Sequence, residues 1–200
     1  MRHDHTPPST AAAAAPTPVK IVIAGGFGAG KTTFVGSISE IAPLSTEAAM
    51  TSVSLGIDDT ADRPDKTTTT VALDFGRITL GRDLVLYLFG TPGQDRFFFM
   101  WDELVRGAIG GVVLADTRRL AECFPAVDYF EVHQLPFVVA LNCFDGVIEH
   151  RIDDVREALD LRGDVPVVLC DARNRASTKL VLLEVTQHAI ERAAASLPVP

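Results

Sequence analysis

Two hundred residues, 47% of them hydrophobic, suffice for one buried core, so a single functional site is expected. A formal net charge of -8 excludes a general nucleic-acid binder, which needs a surplus of Lys and Arg to neutralise phosphates. Cys123, Cys143 and Cys170 are odd in number and widely spaced, which excludes a disulfide framework and a C-x-x-C zinc site and fits reduced thiols in the cytoplasm.

Residues 1–18 combine Pro, Ala, Thr and His without apolar periodicity and predict a disordered tail ahead of one domain over residues 19–197. The five alanines at 11–15 are too short a run for a signal peptide, and nothing downstream approaches a membrane-spanning length. From residue 19 onward, short β-branched apolar runs predict strands at 19–24, 70–79, 84–89, 109–115, 137–141 and 165–169. Several are apolar at nearly every position, the mark of strands covered on both faces. Apolar residues at helical spacing predict helices at 31–41, 96–106, 118–132, 152–161 and 177–195. Gly81, Arg82 and Asp83 leave room only for a turn, so the second and third strands form a hairpin. The expected fold is therefore α/β, a six-stranded, mostly parallel sheet with one antiparallel edge strand and five flanking helices. The exception to this rhythm is 42–69, rich in Ser, Thr, Asp and Pro, which reads as a long functional loop.

The string VKIVIAGGFGAGKTT sets G-x-x-x-x-G-K-T directly after a strand and directly before a helix, the context a phosphate loop requires. Gly25, Gly26, Phe27, Gly28, Ala29 and Gly30 would wrap with their N–H groups inward at a helix N-terminus, where side chains would block an approaching phosphate. Lys31 would meet the β- and γ-phosphates, Thr32 would hold magnesium, and Thr33 would face the α-phosphate. Two further strand ends share that edge of the sheet: Asn142 and Asp145 in LNCFDG, and Cys170, Asp171 and Ala172 in LCDARN. Guanine presents adjacent N1–H and N2–H donors that one carboxylate accepts together, which suits Asp145.

In motif order and spacing the chain resembles the Ras-like small GTPases over about nine-tenths of its length: GGFGAGKT the first GTPase motif, TPGQDRF switch II, NCFD the N-K-x-D motif, and CDAR the S-A-K element. Within that superfamily it resembles the bacterial MglA-type GTPases, especially those encoded in actinobacterial conservons, whose TPGQ-R-F, DTRR and N-x-F-D strings it shares. The resemblance implies binding of GTP and GDP with Mg2+ and slow hydrolysis to GDP and phosphate by a regulatory switch. It assigns Gly93 to the γ-phosphate and Gln94 to the attacking water, and Thr70, with Thr69 as second choice, to magnesium from switch I. Arg63 is its intrinsic arginine, with Arg96 as the other candidate. It also implies protein partners, of roadblock type and sensor-histidine-kinase type, through which a cytoplasmic protein would meet the membrane.

Three departures from the pattern carry consequences. Gly90 stands where D-x-x-G has its magnesium-orienting Asp, for which Asp58, Asp59, Asp62 or Asp74 could compensate. Cys143 replaces the Lys that stacks along the base, and Asp171 replaces a Ser, beside which the Ala172 backbone N–H is still expected to donate to guanine O6. The first two keep open a nucleotide-binding scaffold without turnover, and a P-loop ATP-dependent kinase is a further alternative. The aromatic run Phe97, Phe98, Phe99, Met100 and Trp101 exceeds what one helix face can bury, so part of it is expected to be a partner surface.

Overall fold

A computed structural model describes residues 15–42, 44–50, 69–93, 95–148 and 150–196. The elements in chain order are β1 (Thr17–Ala24), α1 (Lys31–Ile38), β2 (Leu44–Met50), β3 (Thr69–Leu80), β4 (Leu84–Gly90), α2 (Trp101–Val105), β5 (Ala108–Ala115), α3 (Phe124–Val132), β6 (Phe137–Asn142), α4 (Ile152–Ala158), β7 (Val167–Cys170) and α5 (Arg175–Ala195). Short 3-10 turns precede α2 and α3, over Asp95–Met100 and Thr117–Cys123.

The continuous apolar runs become strands because each is covered on both faces. In β1, Ile21 and Ile23 pack to one side and Val22 and Ala24 to the other, all fully buried. The same division separates Val112 and Leu114 from Val113 and Ala115 in β5, and Val138 and Ala140 from Val139 and Leu141 in β6. One set meets Phe34, Val35 and Ile38 of α1 and Val181, Leu182 and Val185 of α5. The other meets Trp101 of α2, Phe130 of α3 and Val155 of α4. Each larger side chain among them contributes about 1.5–3 kcal/mol of burial before ordering costs, which is why the strands follow the apolar runs, while the helices expected at 96–106 and 118–132 are α-helical only from Trp101 and Phe124 onward.

The sheet order is β2-β3-β4-β1-β5-β6-β7, with β3 antiparallel to both neighbours and the remaining pairs parallel. All six expected strands are present, and the hairpin turns at Gly81, whose φ of 68° suits glycine. The difference is a seventh strand. Leu44–Met50, inside the stretch expected to be loop, pairs with β3, so the antiparallel strand lies one place in from the edge. The sequence LSTEAAM has neither strict alternation nor a continuous apolar run, and its pairing is decided by the free edge of β3. Of the expected N-terminal tail, residues 1–14 lie outside the described residues, while Thr17 and Pro18 already belong to β1. Among the described residues no helix is long and apolar enough to cross a membrane.

Candidate functional site

The C-terminal ends of β1, β4, β6 and β7 converge on one rim of the sheet, where open α/β folds bind ligands. Between β1 and α1 the chain turns through Gly25, Gly28 and Gly30 at φ values of 137°, 75° and 103°. Gly30 caps α1 in the left-handed conformation, and a Cβ there would come within 2.7 Å of the Asn142 amide nitrogen. Both facts demand glycine.

Lys31 opens α1 and is only 8% exposed. Its Nζ donates to the carbonyls of Gly25 and Gly26 at 2.8 and 2.7 Å, folding the side chain back over the loop. Burial pushes the ammonium down to about 8, partly offset by the carboxylate of Asp74. Thr32 and Thr33 beside it are exposed, as is Phe27.

The Thr32 hydroxyl donates to Oδ2 of Asp74 at 2.7 Å. Asp74 stands on β3 directly opposite Gly90 of β4. A Cβ on Gly90 would lie 3.0 Å from the Asp74 Cβ and 3.1 Å from its Oδ2, so the Asp74 carboxylate lies in the space a side chain at position 90 would enter. Among the described residues, the carboxylate placed beside Thr32 that could compensate for Gly90 is Asp74. Asp58, Asp59 and Asp62 lie outside the described residues. Thr32 and Asp74 supply hard oxygen donors next to the loop, a set that fits magnesium completed by phosphate oxygens and water.

Asn142 ends β6 and is 6% exposed. Its Nδ2 donates to the Ala29 carbonyl at 2.9 Å and its Oδ1 accepts from the Ala172 N–H at 3.1 Å. This one amide therefore fastens the phosphate loop to the turn after β7, and the Ala172 N–H expected at guanine O6 is held by Asn142 in this conformation. Cys170 is buried, its thiol pushed up to about 11 by burial, which keeps it protonated and inert at neutral pH. The Asp171 carboxylate accepts from the Arg173 backbone and guanidinium, which hold it below the usual carboxylate range. Asp145 sits on the 3-10 turn Phe144–Gly146, its side chain outside the described part.

The segment after β4 lies against the phosphate loop: a Cβ on Gly93 would be 2.7 Å from Lys31 Nζ and 3.0 Å from the Phe27 backbone. Gln94 and Arg63 lie outside the described residues, as does the side chain of Arg96. Thr70 is paired with Ala49 within β3, four residues before Asp74. At about 3.3 Å per residue that is roughly 13 Å along the strand, so Thr70 is not brought to Thr32 here. The aromatic run divides as expected: Phe97 and Trp101 are buried and Phe99 is 62% exposed.

A family of conserved hypothetical ATP-binding proteins matches over residues 23–192. The chain belongs to that family. An uncharacterized protein of Methanocaldococcus jannaschii is 31% identical over 78 residues, 38% of this chain and 50% of that protein, so the chain spans half the length of this relative. Among solved structures, the fold is similar to the cytosolic domain of the T. maritima FeoB iron transporter in apo form, with a TM-score of 0.61 and 15% identity over 86% of this chain and 64% of that one. It is equally similar to the small GTPase Arl6 from Trypanosoma brucei with a bound nucleotide analogue, at a TM-score of 0.61 and 16% identity over 88% of this chain and 99% of that one. The fold is thus that of the P-loop GTPases.

Two residues at this site carry no role in the sequence reading. Arg119 donates from Nη2 to the Phe27 carbonyl at 2.9 Å. Glu122 packs on Gly26, where a Cβ would strike its carboxylate at 2.3 Å. The DTRR string that contains Arg119 was the available signal.

Proposed function

We propose that this chain is a GTP-binding regulatory switch that hydrolyses GTP to GDP slowly. The observation that carries the reading is the Asn142 amide, which ties together the phosphate loop, the N-C-F-D turn and the C-D-A turn. In this reading Asp145 and Ala172 face the base. The family description names ATP, and the carboxylate favours guanine: guanine N1–H and N2–H both donate to it, whereas adenine offers one donor beside an acceptor lone pair. Support also comes from the bound states of the structural relatives, one a GDP form of the FeoB cytosolic domain and one the Arl6 complex with GppNp.

In this reading the loop N–H groups and Lys31 bind the β- and γ-phosphates, and Gly93 offers its N–H to the γ-phosphate. Thr32 would hold magnesium directly, with Asp74 orienting its water from the neighbouring strand, and Thr70 would join from switch I only on leaving its pairing with β2. Magnesium held by these residues would supply positive charge to the phosphates. Gln94 orients the attacking water, and Arg63 is the proposed intrinsic arginine. The exposed rings of Phe27 and Phe99 support a partner-facing surface for regulatory proteins, including those at a membrane.

Equilibrium binding of GDP, GTP and ATP to the purified chain with Mg2+ tests the base assignment. The expected result is a preference for guanine of about 100-fold or more, since the site's polar groups would otherwise be left unpaired. Equal affinity for ATP would sink it. In single-turnover assays, Gln94→Leu should retain GTP binding while lowering hydrolysis by about tenfold or more. Unchanged turnover would mean another group positions the water, and GTP binding without phosphate release by the wild type would favour the scaffold reading.

A further inference from the structure

We propose that Arg119 is a positioning residue for the phosphate loop, a strut that holds the loop's outer face and so sets its affinity for nucleotide. The inference rests on the nucleotide reading above. Gathering N–H donors inward turns loop carbonyls outward, and the outward carbonyls need donors of their own. Gly25 and Gly26 are served by Lys31, Ala29 by Asn142, and the Gly30 carbonyl accepts from the Phe34 N–H. Phe27 is served by Arg119, with Nη2 at 2.9 Å. Lys31 must leave its two carbonyls to engage phosphate. Asn142 and Arg119 then remain as the side-chain struts, one from β6 and one from the connection between β5 and α3.

That connection is shaped to deliver the arginine. Asp116, 3% exposed, caps the 3-10 turn by accepting from the Arg118 N–H at 3.0 Å. The Arg118 guanidinium doubles back onto the same carboxylate through two bonds of 2.8 Å and stacks over Phe144 of the N-C-F-D turn at 4.1 Å. Arg119 breaks the helical path, with φ -140° and ψ 47°, so that its Nη2 lies 3.6 Å from Oδ2 of the same Asp116 carboxylate while it donates to the Phe27 carbonyl. Two successive arginines thus share one buried carboxylate, one extending from it to the base-side turn and one to the phosphate loop. Glu122 completes the brace by accepting from Arg119 Nη1 at 3.2 Å while its own side chain packs on Gly26. Without the guanidinium, the Glu122 carboxylate would lose its ion-pair partner beside an anion-binding loop.

A strut and a catalytic arginine make different predictions. The α- and β-phosphates lie within the loop, so a strut serves GDP and GTP alike, whereas an arginine acting on the γ-phosphate spares GDP. The test measures dissociation of fluorescent GDP and a fluorescent non-hydrolysable GTP analogue from the full chain, with single-turnover hydrolysis at saturating GTP. The variants are Arg119→Ala, Arg119→Lys and Lys31→Ala, each checked by thermal melting without nucleotide. We expect Arg119→Ala to weaken both nucleotides equally, by about tenfold, as loss of one charge-assisted hydrogen bond would. Hydrolysis at saturation should be unchanged, and Arg119→Lys, which keeps a donor for the Phe27 carbonyl, should recover most of the affinity. Unchanged affinity in Arg119→Ala, a loss confined to the triphosphate or to the hydrolysis rate, or a loss that Arg119→Lys leaves uncorrected would each overturn the strut. If the wild type binds neither nucleotide, or Lys31→Ala binds as well as the wild type, the nucleotide reading fails and the strut with it; wild-type binding with Lys31→Ala impaired and Arg119→Ala unaffected overturns the strut alone.

Discussion

Lys31→Ala should lower affinity for GTP and GDP by about 100-fold or more while leaving the fold intact. Lys31 is the buried cation of the phosphate loop, and its Nζ already sits within hydrogen-bond range of two loop carbonyls. Truncating one partner of a buried, hydrogen-bonded charge pair costs about 2–5 kcal/mol, much of it from leaving the other charge uncompensated. The folded core is insulated from the change, because the apolar contacts of α1 come from Phe34, Val35 and Ile38. The same lysine sets a pH dependence. Burial depresses its folded pKa from 10.5 to about 8, so the unfolded state holds more protons between those values and the lysine's contribution to stability rises with pH across that window. Nucleotide binding has the opposite slope. Phosphate oxygens favour the ammonium and raise its pKa, so affinity is full below about pH 8 and falls as pH climbs above it. Calorimetry at pH 8 in two buffers of different ionisation heat should read uptake of about half a proton with the wild type and none with Lys31→Ala. Proton uptake that persists in the variant would assign the titration to another group.

The phosphate loop was legible because its glycines, lysine and threonine lie in one unbroken stretch between a strand and a helix, with local conformation and chemistry written in the same residues. Asn142 was singled out by motif, and the structure adds its bonds to Ala29 and Ala172, partners that only the assembled rim brings near. β2 escaped because an edge strand with Ser, Thr and Glu in sequence has no pattern of its own. Arg119 escaped for a different reason, since its direction depends on a break in the backbone at that residue, which no periodicity encodes. The placement of Asp74 lies between these cases. A three-residue turn that pairs Leu80 with Leu84 fixes Asp74 opposite Gly90, so the register was implicit in the hairpin once its turn length was known.

That register leads to the second large effect. Asp74→Gly should weaken the Mg2+ dependence of nucleotide retention by about tenfold or more, read as faster GDP dissociation in Mg2+ with little change in its absence. Gly90→Asp alone should not improve on the wild type, because its new Cβ would lie 3.0 Å from that of Asp74 and two carboxylates would share one space. Crowding of this kind costs about 1–3 kcal/mol, and the like charges add to it, so a lowered melting temperature is expected. The double variant Asp74→Gly with Gly90→Asp removes the crowding and returns one carboxylate to the same place from the opposite strand. It should therefore recover both stability and Mg2+ dependence, a non-additive result that only neighbouring residues with a shared role produce. If Asp74→Gly leaves the Mg2+ dependence untouched, the bond between Thr32 and Asp74 is merely structural; if the single variants are impaired and the double variant is not restored, the carboxylate's strand of origin matters as much as its position. Restoration would mean that the usual aspartate has been moved across one pair of strands, with its chemistry kept and only its address changed.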